Sequence, residues 1–316
     1  MTESAIRLRR ALCAGVAGTL LLAAASCAGP TAVGGEGAVA VEVPGGVVLV
    51  TIPSQPRGVS RAQLLAWVEG CAKTVASYYG AFPISRAELT IGRGDSGKIG
   101  GGRTEGWSGR ATIVISVGDG TTESDLAGDW ELTHEMVHLA FPSMRRGKAW
   151  IEEGIAVYVE PIARARAGRA SVDNIWRWMT KGLPQGLAGV ERRGLDESRS
   201  WGATYWGGAL FCLLADIEIR ERTGNRKALD DALRGIVHAG GNVTVDWDLS
   251  RAFAEGDKAT GVPVLTELHA KMGSKPVEVD LAALWKKLGI SVEKSGIVYD
   301  DTAPLAAIRR GIATGK

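Results

Sequence analysis

The sequence predicts an α+β fold in which a small β-rich part with one helix precedes a mainly helical part. Short β-branched runs of alternating polarity are confined to the stretch before Gly120, and beyond it apolar residues recur at helical spacing. The composition supports a core of this size: 45% of the 316 residues are hydrophobic, 23% are charged, and the formal charge is +2. Disorder over most of the length is thereby excluded. No nucleic-acid partner is expected either, because 37 basic against 35 acidic residues create no long-range field for a polyanion.

At the N-terminus, Arg7-Leu8-Arg9-Arg10 precedes an Ala/Leu-rich run from Ala11 to Ala25, and no charge follows until Glu36. A basic segment followed by an apolar one of this length reads as a secretory signal. Its end, Leu22-Ala-Ala-Ala-Ser26-Cys27, resembles a bacterial lipoprotein signal, in which Cys27 would carry the lipid. Cleavage after Ala28 and an uncleaved anchor are the other options. Residues 1–26 are thus expected as signal peptide and 27–40, patternless and Gly-rich, as a tether. The mature chain would carry 34 basic and 34 acidic residues. It is expected to be exported and held at the membrane through this N-terminal lipid anchor, facing outside the cytoplasm, with secretion the alternative. Cys71 and Cys212 would then pair or remain buried free thiols.

Residues 38–52 hold two β-branched runs around Pro44-Gly45-Gly46, a hairpin signal. Ser60 caps a helix to Tyr79 whose apolar face is Leu64, Leu65, Trp67, Val68, Cys71 and Val75. Strands follow at 87–91 and 111–117, the second with Ala111, Ile113, Ile115 and Val117 on one face. Between them, residues 92–98 nearly spell a phosphate-binding loop. Ile99 stands where Ser or Thr is required, however, and glycines follow where a helix should begin. Helices are expected near 123–140, 150–168, 203–222, 226–238, 262–272 and 281–288, with an extended piece at 296–299. This gives a β-rich subdomain at 41–122, a helical subdomain at 123–276 and a C-terminal extension at 277–316. Trp67, Trp130 and Trp150 are expected in the core, His238 and His269 at the surface.

The first of these helical segments contains His134-Glu135-Met136-Val137-His138. Four-residue spacing stacks both imidazoles on one helix face, so their nitrogens can converge on one ion, while Glu135 is turned to the flank. The whole chain has four His, so abundance does not explain the motif. A catalytic zinc site needs a third protein ligand and an open position. Pro142 stops the helix, a basic turn reverses the chain, and a second helix opens with Trp150-Ile-Glu152-Glu153-Gly154-Ile-Ala156-Val-Tyr158-Val-Glu160.

H-E-x-x-H followed by W-x-x-E-G-x-A-x-Y-x-E resembles the gluzincin zinc metallopeptidases, in particular the zinc aminopeptidases and their glycyl-aminopeptidase-like relatives. The resemblance is motif-specific between residues 130 and 210 and architectural outside them. It implies a thermolysin-like catalytic core and Zn2+ held by His134, His138 and Glu153. Glu152 is the alternative third ligand, and Gly154 favours its neighbour. Glu160, on the same face as Glu153, would orient a histidine as a supporting carboxylate or pair with an arginine at the surface. Tyr205-Trp-Gly-Gly208-Ala209 matches a Y-x-x-G-A pattern whose Tyr polarises the scissile carbonyl, although Gly207 stands where Lys is usual. The spacer of 14 residues between His138 and Glu153 is shorter than in the aminopeptidases. Their amine-binding G-x-M-E-N segment has only a weak counterpart in Gly101-Gly-Arg-Thr-Glu105, leaving Glu105 as a candidate substrate contact.

The implied activity is hydrolysis of peptide bonds in extracytoplasmic peptides or proteins, with water activated by zinc and Glu135. An extended substrate would add to strand 111–117, and Gly100, Gly101 and Gly102 would let its backbone approach. The alternative is a catalytically inactive, zinc-containing lipoprotein of this fold that binds peptides or envelope proteins. A pure binder has no need of the intact Glu135.

Overall fold

The computed structural model describes residues 37–95, 97–144, 148–197 and 200–315. The expected signal peptide, Cys27 and most of the tether lie outside these residues. Five strands build the first layer: β1 (Val39–Val43), β2 (Gly46–Thr51), β3 (Arg86–Gly94), β4 (Ile99–Trp107) and β5 (Arg110–Gly118), in the order β1-β2-β3-β5-β4. β1 starts two residues inside the segment expected as tether. It pairs antiparallel with β2 across Pro44-Gly45, as the hairpin signal requires.

Helix α1 (Arg61–Tyr79) carries the chain from β2 to the parallel strand β3. A capping box starts it, with the Ser60 Oγ accepting the Gln63 amide at 3.2 Å and the Gln63 side chain accepting the Ser60 amide at 2.8 Å. Gly80, at φ 88°, ends it. Leu64, Trp67, Val68, Cys71 and Val75 are buried, whereas Leu65 is only half-buried.

The expected alternation in β5 is present, with Ala111, Ile113, Ile115 and Val117 buried. Its expected role as a free edge is not: β5 lies between β3, to which it is parallel, and β4, to which it is antiparallel. The outer strand on this side of the sheet is β4. Its sequence, Ile-Gly-Gly-Gly-Arg-Thr-Glu-Gly-Trp, shows no apolar alternation because neither face is fully buried. The chain reaches it directly from β3, so the phosphate-loop-like segment connects two strands and no helix follows it.

The segment expected as one helix is two, α2 (Glu123–Gly128) and α3 (Glu131–His138). Asp129 makes the break by accepting the amides of Glu131 and Leu132, both at 3.1 Å, together with the indole N–H of Trp67 at 3.2 Å. Strand β6 (Ser143–Met144), α4 (Ala149–Arg166) and α5 (Val172–Arg193) follow. A π-helical turn at Ala203–Gly207 then leads into α6 (Gly208–Thr223), α7 (Leu229–His238) and β7 (Asp246–Trp247), which pairs with β6. The chain ends with α8 (Leu249–Thr260), α9 (Val264–Met272), α10 (Leu281–Leu288), β8 (Ile290–Glu293), β9 (Gly296–Tyr299) and α11 (Ala306–Thr314).

Helices α5, α8 and α11 were not expected. In α5 the glycines and Pro184 hide the pattern, and the glycines have a packing reason: a Cβ at Gly182 would overlap the Trp206 ring. Cys71 and Cys212 are free and buried, so no disulfide joins them. Trp67 and Trp150 are core residues, but Trp130 is 43% exposed. His238 is exposed, while His269 is half-buried and sits 3.0 Å from Asp196. Among the described residues no helix is long and apolar enough to cross a membrane.

Candidate metal centre

Helix α3 presents His134 and His138 side by side, with ring centroids 5.0 Å apart. Helix α4 brings Glu153 to them: its Oε2 lies 3.4 Å from His134 Nε2 and 3.6 Å from His138 Nε2. One ligand atom from each of the three residues falls within 4.8 Å of the others. The Glu153 Oε2 atom is buried and has no hydrogen-bond partner. Two imidazole nitrogens and an orphaned carboxylate oxygen form a donor set that fits zinc, with room for a fourth, non-protein ligand. Desolvation, helped by His134 and opposed by Glu153, pushes the His138 imidazole down to about 4, so it is in its neutral, ligating form at ordinary pH. Burial works to raise the Glu153 carboxyl, but the facing imidazoles and the Tyr205 hydroxyl hold it below its ordinary value.

The neighbouring carboxylate is turned elsewhere. Glu152 accepts the Met144 amide at 3.2 Å, and burial, with the charge of Glu153 adding to it, pushes its carboxyl up to about 7. The structure thus brings Glu153, and not Glu152, to the histidines.

Glu135 is buried on the flank of α3, where the Thr104 hydroxyl of β4 donates to its Oε2 at 2.7 Å. Burial raises its carboxyl above the ordinary range, and the Thr104 hydrogen bond and His134 oppose the rise. β4 can lie this close because of Gly102. A Cβ there would be 2.8 Å from Glu135 Cγ, and the Gly102 amide donates to Glu131 Oε1 at 2.6 Å. The sequence reading missed Thr104 and Glu131, since a Gly-rich stretch gives no sign of the helix it will flank.

Tyr205 stands on the π-helical turn, half-buried, with its ring stacked 5.2 Å from that of Trp201. Its hydroxyl is raised above its ordinary value by burial and by the carboxylates of Glu153 and Glu135. The turn is fixed against α4 by two glycines: a Cβ on Gly154 would overlap the backbone of Gly208, and one on Gly208 would overlap the Trp150 carbonyl. Such local π geometry frequently marks functional sites.

Glu160 is buried rather than at the surface, and its hydrogen bond goes to Arg164 at 3.0 Å, not to an imidazole. Desolvation, opposed by Arg164, pushes its carboxyl up to about 7. Glu105 lies on β4 and is paired with Arg103 at 2.9 Å, largely in solvent. A cavity of about 550 Å³ is walled by β4 from Gly102 to Gly106, by both histidines, by Glu135, Glu152 and Glu153, and by Tyr205.

No protein-family model matches the chain, and no curated protein does. Among solved structures it is similar to an aminopeptidase N family protein from Idiomarina loihiensis, at 12% identity over 81% of this chain and 50% of that one, with a TM-score of 0.56. Looser matches are an M1 zinc metallopeptidase from Deinococcus radiodurans (13% identity, 78% of this chain, 52% of that one, TM-score 0.46) and yeast LTA4 hydrolase in complex with bestatin (14%, 79%, 42%, 0.45). The chain spans about half the length of these proteins. At such identity the likeness is one of fold: a mixed α/β architecture, sheet first and helices after, like that of the Idiomarina protein.

Proposed function

We propose that the chain is a zinc-dependent peptidase of the gluzincin type, with a thermolysin-like core, that hydrolyses peptide bonds in peptides or proteins outside the cytoplasm. The observation that carries this reading is the meeting of His134, His138 and Glu153 in one cavity with Glu135 and Tyr205. Zinc held by those three residues would supply a Lewis acid for the scissile carbonyl and an acidified water.

The chain's own residues do the rest. The Glu135 carboxylate, held by Thr104, takes a proton from the attacking water and later returns it to the leaving amine. The Tyr205 hydroxyl donates to the carbonyl oxygen as negative charge develops there. β4, the free edge beside α3, offers its backbone to an extended substrate, the part first expected of β5. Export and a lipid on Cys27 belong to the same proposal and rest on the N-terminal sequence alone.

The test is zinc analysis combined with a quenched-peptide library. Wild-type protein should bind one zinc and cleave in a chelator-sensitive way. Glu135→Gln should keep the zinc and lose at least about 100-fold in kcat. Zinc without cleavage of any peptide would favour the inactive binder, and full activity in the variant would remove Glu135 as the base.

A further inference from the structure

A second cavity, of about 260 Å³, lies between the head of α3, the second half of α4 and one face of α5, and it shares no lining residue with the candidate centre. Two of its walls are indoles, Trp130 and Trp178, with ring centroids 6.0 Å apart and with 43% and 38% of their surface exposed. Each is fixed from behind. Trp130 meets the His134 ring edge-on at 5.6 Å, and Trp178 packs on Trp206 at 5.1 Å. Two large rings held in place around a hollow, yet open to solvent, form an apolar platform that core packing does not require.

The other walls are mainly charged. Glu160 is matched by Arg164 at 3.0 Å. Arg177 and Lys181 add two positive charges, four residues apart on the face of α5 that also carries Trp178. Like charges at that spacing repel, and an anion between them offsets the repulsion. Asp173, one turn earlier on α5, accepts from the Tyr299 hydroxyl at 2.7 Å and does not line the cavity. The lining residues thus combine an aromatic platform with an excess of positive charge. The volume is below the ~300–1,000 Å³ usual for drug-sized ligands, so the occupant is about one ring on a short arm. A guanidinium beside an ammonium suits the two oxygens of a carboxylate. We propose that this cavity is a second binding site, for a carboxylate that carries an aromatic or bulky apolar group. The same chemistry occurs in a free aryl-substituted acid and in the C-terminal residue of a peptide. The site stands whether or not the chain is a peptidase.

Calorimetric titration of the full chain with 3-phenylpropionate tests it, beside 3-phenylpropanamide, which has the same shape without the charge. The acid should bind with a Kd below about 1 mM and the amide at least about tenfold more weakly. Arg177→Gln and Lys181→Met change exposed side chains, so the double variant should keep its Tm while binding the acid about tenfold more weakly. Chelator should leave the binding unchanged, because none of His134, His138 and Glu153 lines this cavity. A chain that binds no acid, acid and amide binding alike, or a double variant that binds as the wild type does would overturn the proposal. Loss of binding on chelation would do so too, by placing the carboxylate on a metal ion. A tripeptide ending in phenylalanine, compared with its C-terminal amide, identifies the source. Charge-dependent binding of the tripeptide supports the site for chain ends, and binding of the free acid alone supports it for small acids.

Discussion

At the scale of single residues, the catalytic proposal turns on the charge state of Glu135. Its carboxyl is raised by burial and held back chiefly by the hydrogen bond from Thr104, a bond that favours the ionised form. A general base must be ionised to work, so removing the donor acts through pH. Thr104→Val should raise the Glu135 pKa and move the acidic limb of the kcat/KM profile upward by about half a unit to one unit. Activity at pH 6 then falls more than at pH 8, and Thr104→Ser restores the profile. A uniform loss at all pH values would mean that Thr104 only packs. The two imidazoles and Glu135 were legible in the sequence because helical spacing alone places them. Thr104 was not, since it reaches Glu135 from 31 residues upstream, through a strand whose sequence carries no strand signal.

At the scale of elements, Glu153 and Tyr205 meet because α4 and the start of α6 touch backbone to backbone. Gly154 follows Glu153 directly, Gly208 lies three residues after Tyr205, and each glycine occupies space that a Cβ would need. Ala at either position should cost about 1–3 kcal/mol by overpacking, seen in thermal melting. It should also lower kcat more than it raises KM, because the displacement falls between the carboxylate and the phenol. Loss of stability with unchanged kcat would show that the glycines serve packing alone. Gly154 was legible as a companion of Glu153, whereas the contact that requires it was not, because it joins residues 54 positions apart. The same distinction runs through the fold. Helix α1 and strand β5 follow from their periodicity, each having one buried face. β4 is flanked on neither face by a full core, and α5 hides its period behind glycines that Trp206 demands. The broken helix at Asp129 belongs with them, since the break depends on an indole from α1.

At the scale of the whole molecule, the sheet and the helices are each incomplete as a site. β4 supplies Thr104 and the close approach at Gly102, α3 supplies the imidazoles and the Glu135 carboxylate, and α4 supplies the Glu153 carboxylate. An ion at their junction would join α3 to α4 and give the buried Glu153 Oε2 the partner it otherwise lacks, a deficit worth about 1–3 kcal/mol. Binding to the folded chain alone must therefore appear as stability. At a free zinc concentration 100 times the Kd, the gain is about 2.7 kcal/mol, or a rise in Tm of roughly 4–5 °C for a chain of this size. Chelation should lower Tm by that amount and zinc should restore it. His138→Ala should melt alike with and without zinc, while Glu135→Gln should keep the full shift, because its carboxylate is held by Thr104 and is no ligand. A Tm indifferent to chelator, in protein that elemental analysis shows to be zinc-free, would mean that the three side chains converge without holding a metal.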